Sequence, residues 1–229
     1  HSRVTPEHPL SLRTKCSSAG RSLHGMELAT TTVPSYLVAD AVIDHHEPVV
    51  SALALRLREG RSADDAFAKA AFEFVRDEVA HSWDVQDRRV TLSASQTLNE
   101  GVGLCFSKAH LLAGVLRSQG VPAGLCYQRL TDDGSRFDLH GLVAVFLDGA
   151  WHRQDPRGNK PGVDAQFSLD EERLAWPVRP ELGERDYAQV FVHPHPSVVA
   201  ALTSATDMLD LCNGGLPSSI ENDIAESAR

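Results

Sequence analysis

The chain has 229 residues, of which 42% are hydrophobic and 23% charged, enough for the core of one large domain. Its formal net charge of -9 would repel a phosphate backbone, so nucleic acid is not an expected partner. The longest apolar runs fall far short of the roughly 18 to 20 residues that a membrane-spanning helix needs, so no membrane association is expected.

Residues 1–25 form a polar segment with four basic residues and one acidic residue, followed by Met26. This segment lacks the apolar block of a secretory signal. We expect a disordered or vector-derived leader, with a native basic tail as the alternative. The remainder, 26–229, is predicted to be a single domain.

Apolar spacing predicts a helix over 48–58 and a second helix from a capping box at Ser62 and Asp65 to about His81. Residues 27–40 are rich in threonine and predict an extended lead-in.

The stretch that begins near Cys105 is apolar on most sides, which predicts a buried helix. It should end at Gly120, because Pro122 prevents continuation. Beyond it the period changes to two, and strands are predicted over 124–130, 139–147 and 150–154, the last two joined by Asp148-Gly149.

A short helix over 168–176 and a C-terminal helix over 196–211 complete the predicted elements. Helices followed by antiparallel strands favour an α+β fold in which a central buried helix packs on an antiparallel sheet.

Four cysteines lie far apart in the chain, with no C-x-x-C pair and too low a density for a disulfide scaffold: Cys16, Cys105, Cys126 and Cys212. This usage predicts a reducing, cytoplasmic location.

Cys105 follows a glycine-containing turn at the start of the predicted buried helix. Free backbone N–H groups and the positive end of the helix dipole favour a thiolate there, which makes Cys105 a potential nucleophile. The alternative is a small apolar residue that fills the core.

The predicted hairpin brings two further polar residues together. If Asp148-Gly149 is the loop, Leu142 lies opposite Asp155, and His140 lies two places further along the same face. His140 and Asp155 are then diagonal neighbours, with Cβ atoms up to about 7–8 Å apart. The carboxylate can fix the imidazole tautomer and leave its other nitrogen facing a thiol.

The order and spacing of these residues resemble the core of the transglutaminase-like superfamily, over roughly residues 95–160. The resemblance rests on Gly103-Leu104-Cys105 opening a helix, the run from Leu116 to Ala123 closing it, and His140, Asp148-Gly149, Trp151 and Asp155-Pro156-Arg157. The runs 155–160 and 162–167 also resemble a bacterial subgroup of that superfamily.

The resemblance implies a papain-like α+β fold with a Cys-His-Asp triad. Cys105 would be the nucleophile, His140 the general base and acid, and Asp155 the residue that orients it. In many members an aromatic residue follows the histidine shortly, whereas this chain has Gly141 and Leu142 there. Acidic clusters that resemble the calcium sites of the animal enzymes are missing, so calcium control is not expected. No metal and no cofactor are expected either.

The reaction expected from this resemblance is acyl transfer or hydrolysis on a protein, peptide or small amide substrate, through a thioester. A cysteine peptidase or amidase, or a non-catalytic binding module that retains the fold, are the alternatives. The oligomeric state is left open.

Three residues are candidates for contact with substrate: Gln96, Trp83 and Trp151. The amide of Gln96 can donate to an oxyanion, although a solvated loop position is the alternative. The tryptophans can line a cleft, although packing is the default for both. Histidines at His45-His46 and His193-x-His195 raise a metal site as a separate possibility, for which the spacing suggests no third ligand.

Overall fold

A computed structural model describes residues 28–220, and the predicted leader lies outside them. In chain order its helices and strands are α1 (Pro48–Arg58), α2 (Asp64–Glu78), β1 (Ala80–His81), α3 (Ala94–Glu100), β2 (Val102–Gly103), α4 (Cys105–Ser118), β3 (Ala123–Leu130), β4 (Asp138–Leu147), β5 (Ala150–Gln154), β6 (Arg185–Asp186), α5 (Pro196–Ser204) and α6 (Met208–Asp210). A 3-10 turn at Val33–Leu37 precedes them, another covers Pro180–Leu182, and a π-type turn covers Leu211–Gly215.

Helix α4 lies at the centre of the fold. Of its 14 residues, all from Cys105 to Arg117 are buried. Helices α1, α2 and α3 pack against it, and so do strands β3 and β4. The prediction of a central buried helix on an antiparallel sheet is confirmed, because a helix that is apolar on most sides needs neighbours on those sides.

The main sheet has the strand order β5-β4-β3-β6, and its β-ladders are antiparallel. The hairpin register is the predicted one, from Leu147 opposite Ala150 to Val143 opposite Gln154. Asp148 and Gly149 both have positive φ, 51° and 80°, as a two-residue loop of this type requires. Strand β3 pairs with β4 along almost its whole length.

A second, two-stranded sheet precedes α4. Strands β1 and β2 are parallel, with Ala80 opposite Val102 and His81 opposite Gly103. This pairing fixes the end of α2 beside the residues that lead into α4.

Several predicted elements differ from the structure. Residues 168–176 are not helical, because their backbone groups bond elsewhere: the amide of Ala175 donates to the Asp155 carboxylate. The C-terminal helix stops at Ser204, and α2 begins at Asp64 without a side-chain cap from Ser62. Helix α3 was not predicted.

The region 28–40 forms the 3-10 turn in place of a strand, with one isolated bridge from Ala29 to Gln189. Within residues 28–220, none of the helices combines the length and apolar character needed to cross a bilayer.

Candidate active site

Cys105 occupies the first position of α4. Leu104, the residue before the helix, has no side chain that caps the opening amides. The helix therefore presents backbone N–H groups and its positive dipole end at the sulfur. The Cys105 side chain is only 6% exposed, but it borders a cleft.

His140 and Asp155 lie together as the hairpin register predicts. His140 Nε2 and Asp155 Oδ2 are 2.8 Å apart. The backbone amides of Arg157 and Ala175 also donate to the Asp155 carboxylate, at 3.1 and 3.0 Å. Asp155 is fully buried, so these three donors fix its orientation.

The imidazole of His140 lines the same cleft as Cys105. Burial acts to lower the pKa of His140, but the charges of Asp155 and Cys105 and hydrogen bonds to both raise it to about 9. Burial acts to raise the pKa of Asp155, but interaction with His140 and the two backbone amides holds it below its usual value. The arrangement thus favours an imidazolium beside the Asp155 carboxylate.

The other two described cysteines have a different environment. Burial raises the pKa of Cys126 and of Cys212 to about 12, assisted at Cys212 by the charges of Cys105 and Asp138. Both are therefore protonated thiols at neutral pH.

Gly141 explains how strand β4 comes so close to the start of α4. A Cβ atom at Gly141 would lie 2.7 Å from Phe106 Cδ1 and 3.2 Å from Phe106 Cα. Strand β4 can therefore pass directly over the first turn of α4 only with glycine at this position. The glycine that departs from the family pattern thus allows the close approach of strand and helix.

The cleft beside Cys105 is mainly apolar, with two histidines and an arginine in its wall. Its lining residues are His81, Leu104, Cys105, Leu139, His140, Arg157, Trp176 and Leu216.

Trp176 forms one wall of this cleft. The ring meets the imidazole of His140 edge-on, with centroids 5.1 Å apart, and the guanidinium of Arg157 lies 5.3 Å from its centroid. Arg157 is itself held by Asp84 through two bonds of 2.7 and 2.8 Å. Asp84 also bonds Lys160, and these contacts hold its pKa below the usual value against the effect of burial.

The structure brings Cys105, His140 and Asp155 together, but it places the three predicted substrate contacts elsewhere. Gln96 is exposed, and its amide bonds the backbone of Leu92 and Val90. Trp83 is 4% exposed within the main core. Trp151 packs on Tyr36 and Phe146, with centroids 4.6 and 5.3 Å away.

Sequence reasoning missed His81, Trp176 and Leu216 as cleft residues. Each comes from a short or irregular segment, where periodicity gives no signal for orientation. His81 pairs in parallel with Gly103, and this pairing lies outside the hairpin whose register the turn residues predict.

The histidine pairs suggested for a metal have other contacts. His193 bonds Asp40, His195 bonds Ser197, and His45 bonds the carbonyl of Leu37. Among residues 28–220 the structure contains no group of three or more His, Cys, Asp or Glu side chains arranged to hold a metal ion.

Residues 51–156 match the family model of the transglutaminase-like superfamily. Among solved structures, the chain is similar to a Cytophaga hutchinsonii protein described as a candidate cysteine protease (17% identity, TM-score 0.45, 55% of this chain and 42% of that one). It is also similar to the periplasmic domain of TgpA from Pseudomonas aeruginosa (23% identity, TM-score 0.42, 53% and 45%). The chain thus spans less than half of either structure. A comparison with curated proteins gives no match.

At a coarse level, this family match supports a cysteine enzyme. The family match covers less than half of the chain and overlaps the region 95–160 on which the resemblance rests.

Proposed function

We propose that the protein is a cysteine-dependent acyltransferase or hydrolase that acts on amide or peptide substrates through a thioester on Cys105. One observation carries this proposal: His140 Nε2 lies 2.8 Å from the Asp155 carboxylate, and the same imidazole lines one cleft with Cys105 at the start of α4. Because Nε2 bonds Asp155, Nδ1 is the ring nitrogen that exchanges a proton with the Cys105 sulfur.

In the first half-reaction, the Cys105 thiolate attacks the carbonyl carbon of the substrate amide. The S–C bond forms while the carbonyl electron pair moves onto oxygen. When this tetrahedral intermediate collapses, the C–N bond breaks and His140 gives its proton to the departing amine. Neutral His140 and a thioester remain.

In the second half-reaction, an amine or a water molecule attacks the thioester carbonyl. His140 accepts the proton of the attacking group, a new C–N or C–O bond forms, and the S–C bond breaks. Cys105 leaves as thiolate beside an imidazolium, which restores the starting state. Transfer and hydrolysis therefore use the same residues and differ in the acceptor.

The developing oxyanion needs hydrogen-bond donors. The backbone amide of Cys105, at the uncapped start of α4, is the first. We assign the second to His81, whose buried side chain lines the same cleft and whose strand pairs with the residues that precede Cys105. His81 Nδ1 lies 3.8 Å from Asp84 Oδ2, which orients Nε2 away from Asp84.

We assign the binding site of the acceptor, the amine or water of the second half-reaction, to the part of the cleft lined by Trp176. Its edge-on contact with His140 brings the ring next to the base that must deprotonate the acceptor. An apolar aromatic wall limits water there, and the access of water decides between transfer and hydrolysis.

The proposal is tested by alkylation. We expect iodoacetamide at pH 6 to modify Cys105 at least about tenfold faster than Cys126 or Cys212, because thiolate and not thiol reacts. In a His140→Ala variant, Cys105 should lose this rapid alkylation at pH 6, since the imidazolium that stabilises the thiolate is absent. Peptide mapping by mass spectrometry gives the rate at each cysteine.

A His152→Ala variant is the control, because His152 lies on β5 and bonds the carbonyl of Leu147 instead of a cysteine. Equal alkylation rates at the three cysteines would contradict the role of Cys105 as an activated nucleophile. An unchanged alkylation rate of Cys105 at pH 6 in His140→Ala would contradict it as well.

A further inference from the structure

A segment of the chain's own C-terminal region lies over the candidate active site. We call residues 213–219 the strap. The side chain of Leu216 lines the cleft with Cys105 and His140. The carbonyl of the next residue, Pro217, accepts a 2.8 Å hydrogen bond from the amide of Leu139 on β4.

This hydrogen bond uses an edge of β4 that the sheet leaves open. Strand β5 pairs with β4 only from Val143 to Leu147. Strand β3 covers the opposite edge from Asp138 to Val145. Since alternate residues of a strand face opposite neighbours, Leu139 directs its amide to the same side as Val143, beyond the end of β5. The strap therefore lies along the edge of β4 adjacent to His140.

The strap lies between two buried ends, and its first three residues belong to the π-type turn Leu211–Gly215. Cys212 before it and Ile220 after it are buried in the core, whereas Asn213, Gly214, Gly215 and Ser218 are exposed. Gly214 has a φ of 139°, a conformation that L side chains rarely adopt. Besides the Pro217 bond, Arg129 donates to the carbonyl of Ser218 at 3.2 Å from an exposed position. Leu216 is half-buried against the main core, so opening of the strap gives up this contact and the Pro217 bond.

Cys105 is 6% exposed under this cover. Leu216 lines the same cleft, so a substrate that approaches the sulfur through this cleft meets its side chain.

We propose that the strap occupies the binding site of an extended polypeptide substrate. The substrate pairs its main chain with Leu139 and inserts an apolar side chain at the position of Leu216. The strap and the substrate compete for this site. This inference rests on the proposed function. Extended segments add to open strand edges through main-chain hydrogen bonds, while side-chain pockets supply specificity. The strap makes one main-chain hydrogen bond, from Leu139 to Pro217, and places one side chain, Leu216, in the cleft.

The test is the rate at which iodoacetamide modifies Cys105 in a Leu216→Ala variant. Truncation of this half-buried side chain should shift the strap towards its open state and raise the rate about fivefold. Leu182→Ala is the matched control, because Leu182 is half-buried in a 3-10 turn outside the cleft. Leu216→Val, a smaller truncation, should give a smaller increase if Leu216→Ala fails to fold.

The subsite is tested by adding the peptide Asn-Gly-Gly-Leu-Pro-Ser-Ser, the sequence of 213–219, to the Leu216→Ala protein. It should slow the alkylation of Cys105 back towards the wild-type rate, whereas a scrambled peptide should have no effect. An unchanged rate in Leu216→Ala and Leu216→Val, or no protection by the native peptide, would overturn the inference.

These results separate the inference from the proposed function. Acceleration and protection without any acyl-enzyme would keep the strap and remove the enzymatic proposal. If the reactivity of Cys105 depends on His140 but does not increase in Leu216→Ala, the enzymatic proposal stands and the strap inference is wrong.

Discussion

A Cys105→Ala protein should release no ammonia or amine above background from a pool of glutamine-containing peptides and peptide amides. We expect a loss of at least about a thousandfold relative to wild type, because removal of a covalent nucleophile leaves only binding and oxyanion stabilisation. The loss should occur without unfolding, since alanine is well tolerated at the first position of a helix and the side chain removed is small.

Cys126→Ala provides the matched control. Cys126 is also buried, but it lies on β3 and packs with Tyr36, Leu142 and Val190 away from the cleft. It should keep its turnover while losing some stability from the cavity. Equal turnover in Cys105→Ala and wild type would exclude a covalent mechanism through this residue.

An Asp155→Asn protein should lose about 10² to 10⁴ in turnover, the range that a correctly oriented acid-base group contributes. The asparagine side chain keeps the volume of Asp155 but offers one acceptor oxygen where the carboxylate offers two. The carboxylate bonds three donors, from His140, Arg157 and Ala175, so an NH₂ group must then face one of them.

The pH profile distinguishes this effect from a general loss of structure. In wild type, His140 carries the proton for the leaving amine below its pKa of about 9, so acylation should fall as pH rises through that value. Loss of the Asp155 charge lowers the pKa of His140, and the alkaline fall should move to lower pH in Asp155→Asn. A profile with an unchanged alkaline limb would contradict the role assigned to Asp155.

Asp186→Asn is the control carboxylate. It lies on β6 of the same sheet and accepts hydrogen bonds from Arg153 and Gln128, outside the cleft. Its pH profile should coincide with that of wild type.

Periodicity and turn chemistry predicted the part of the site that regular elements carry. The Asp148-Gly149 loop fixed the register of the hairpin, and the register placed His140 beside Asp155. The apolar faces of α4 located Cys105 at the start of a buried helix. In each case a local rule, two-residue hairpin geometry or helix burial, determines where the side chain lies.

The walls of the cleft come from irregular segments, and local rules do not place those. Residues 168–176 have helical composition, yet the amide of Ala175 bonds Asp155 and Trp176 packs on His140. Leu216 reaches the cleft only because the chain returns across the edge of β4 after α6. Such long-range contacts override propensity, so the sequence pattern favours Gln96, Trp83 and Trp151 as substrate contacts, whereas the cleft is lined by His81, Trp176 and Leu216.

The most direct measurement is the mass of the intact protein after rapid acid quenching of a reaction with the same pool of glutamine peptides and peptide amides. The account predicts an added mass equal to the acyl part of one substrate, mapped to Cys105, lost on treatment with hydroxylamine and absent from Cys105→Ala. It also predicts that the adduct accumulates when Asp155→Asn slows the second half-reaction more than the first. Product formation without any adduct on Cys105, or an adduct that maps to another residue, would contradict it.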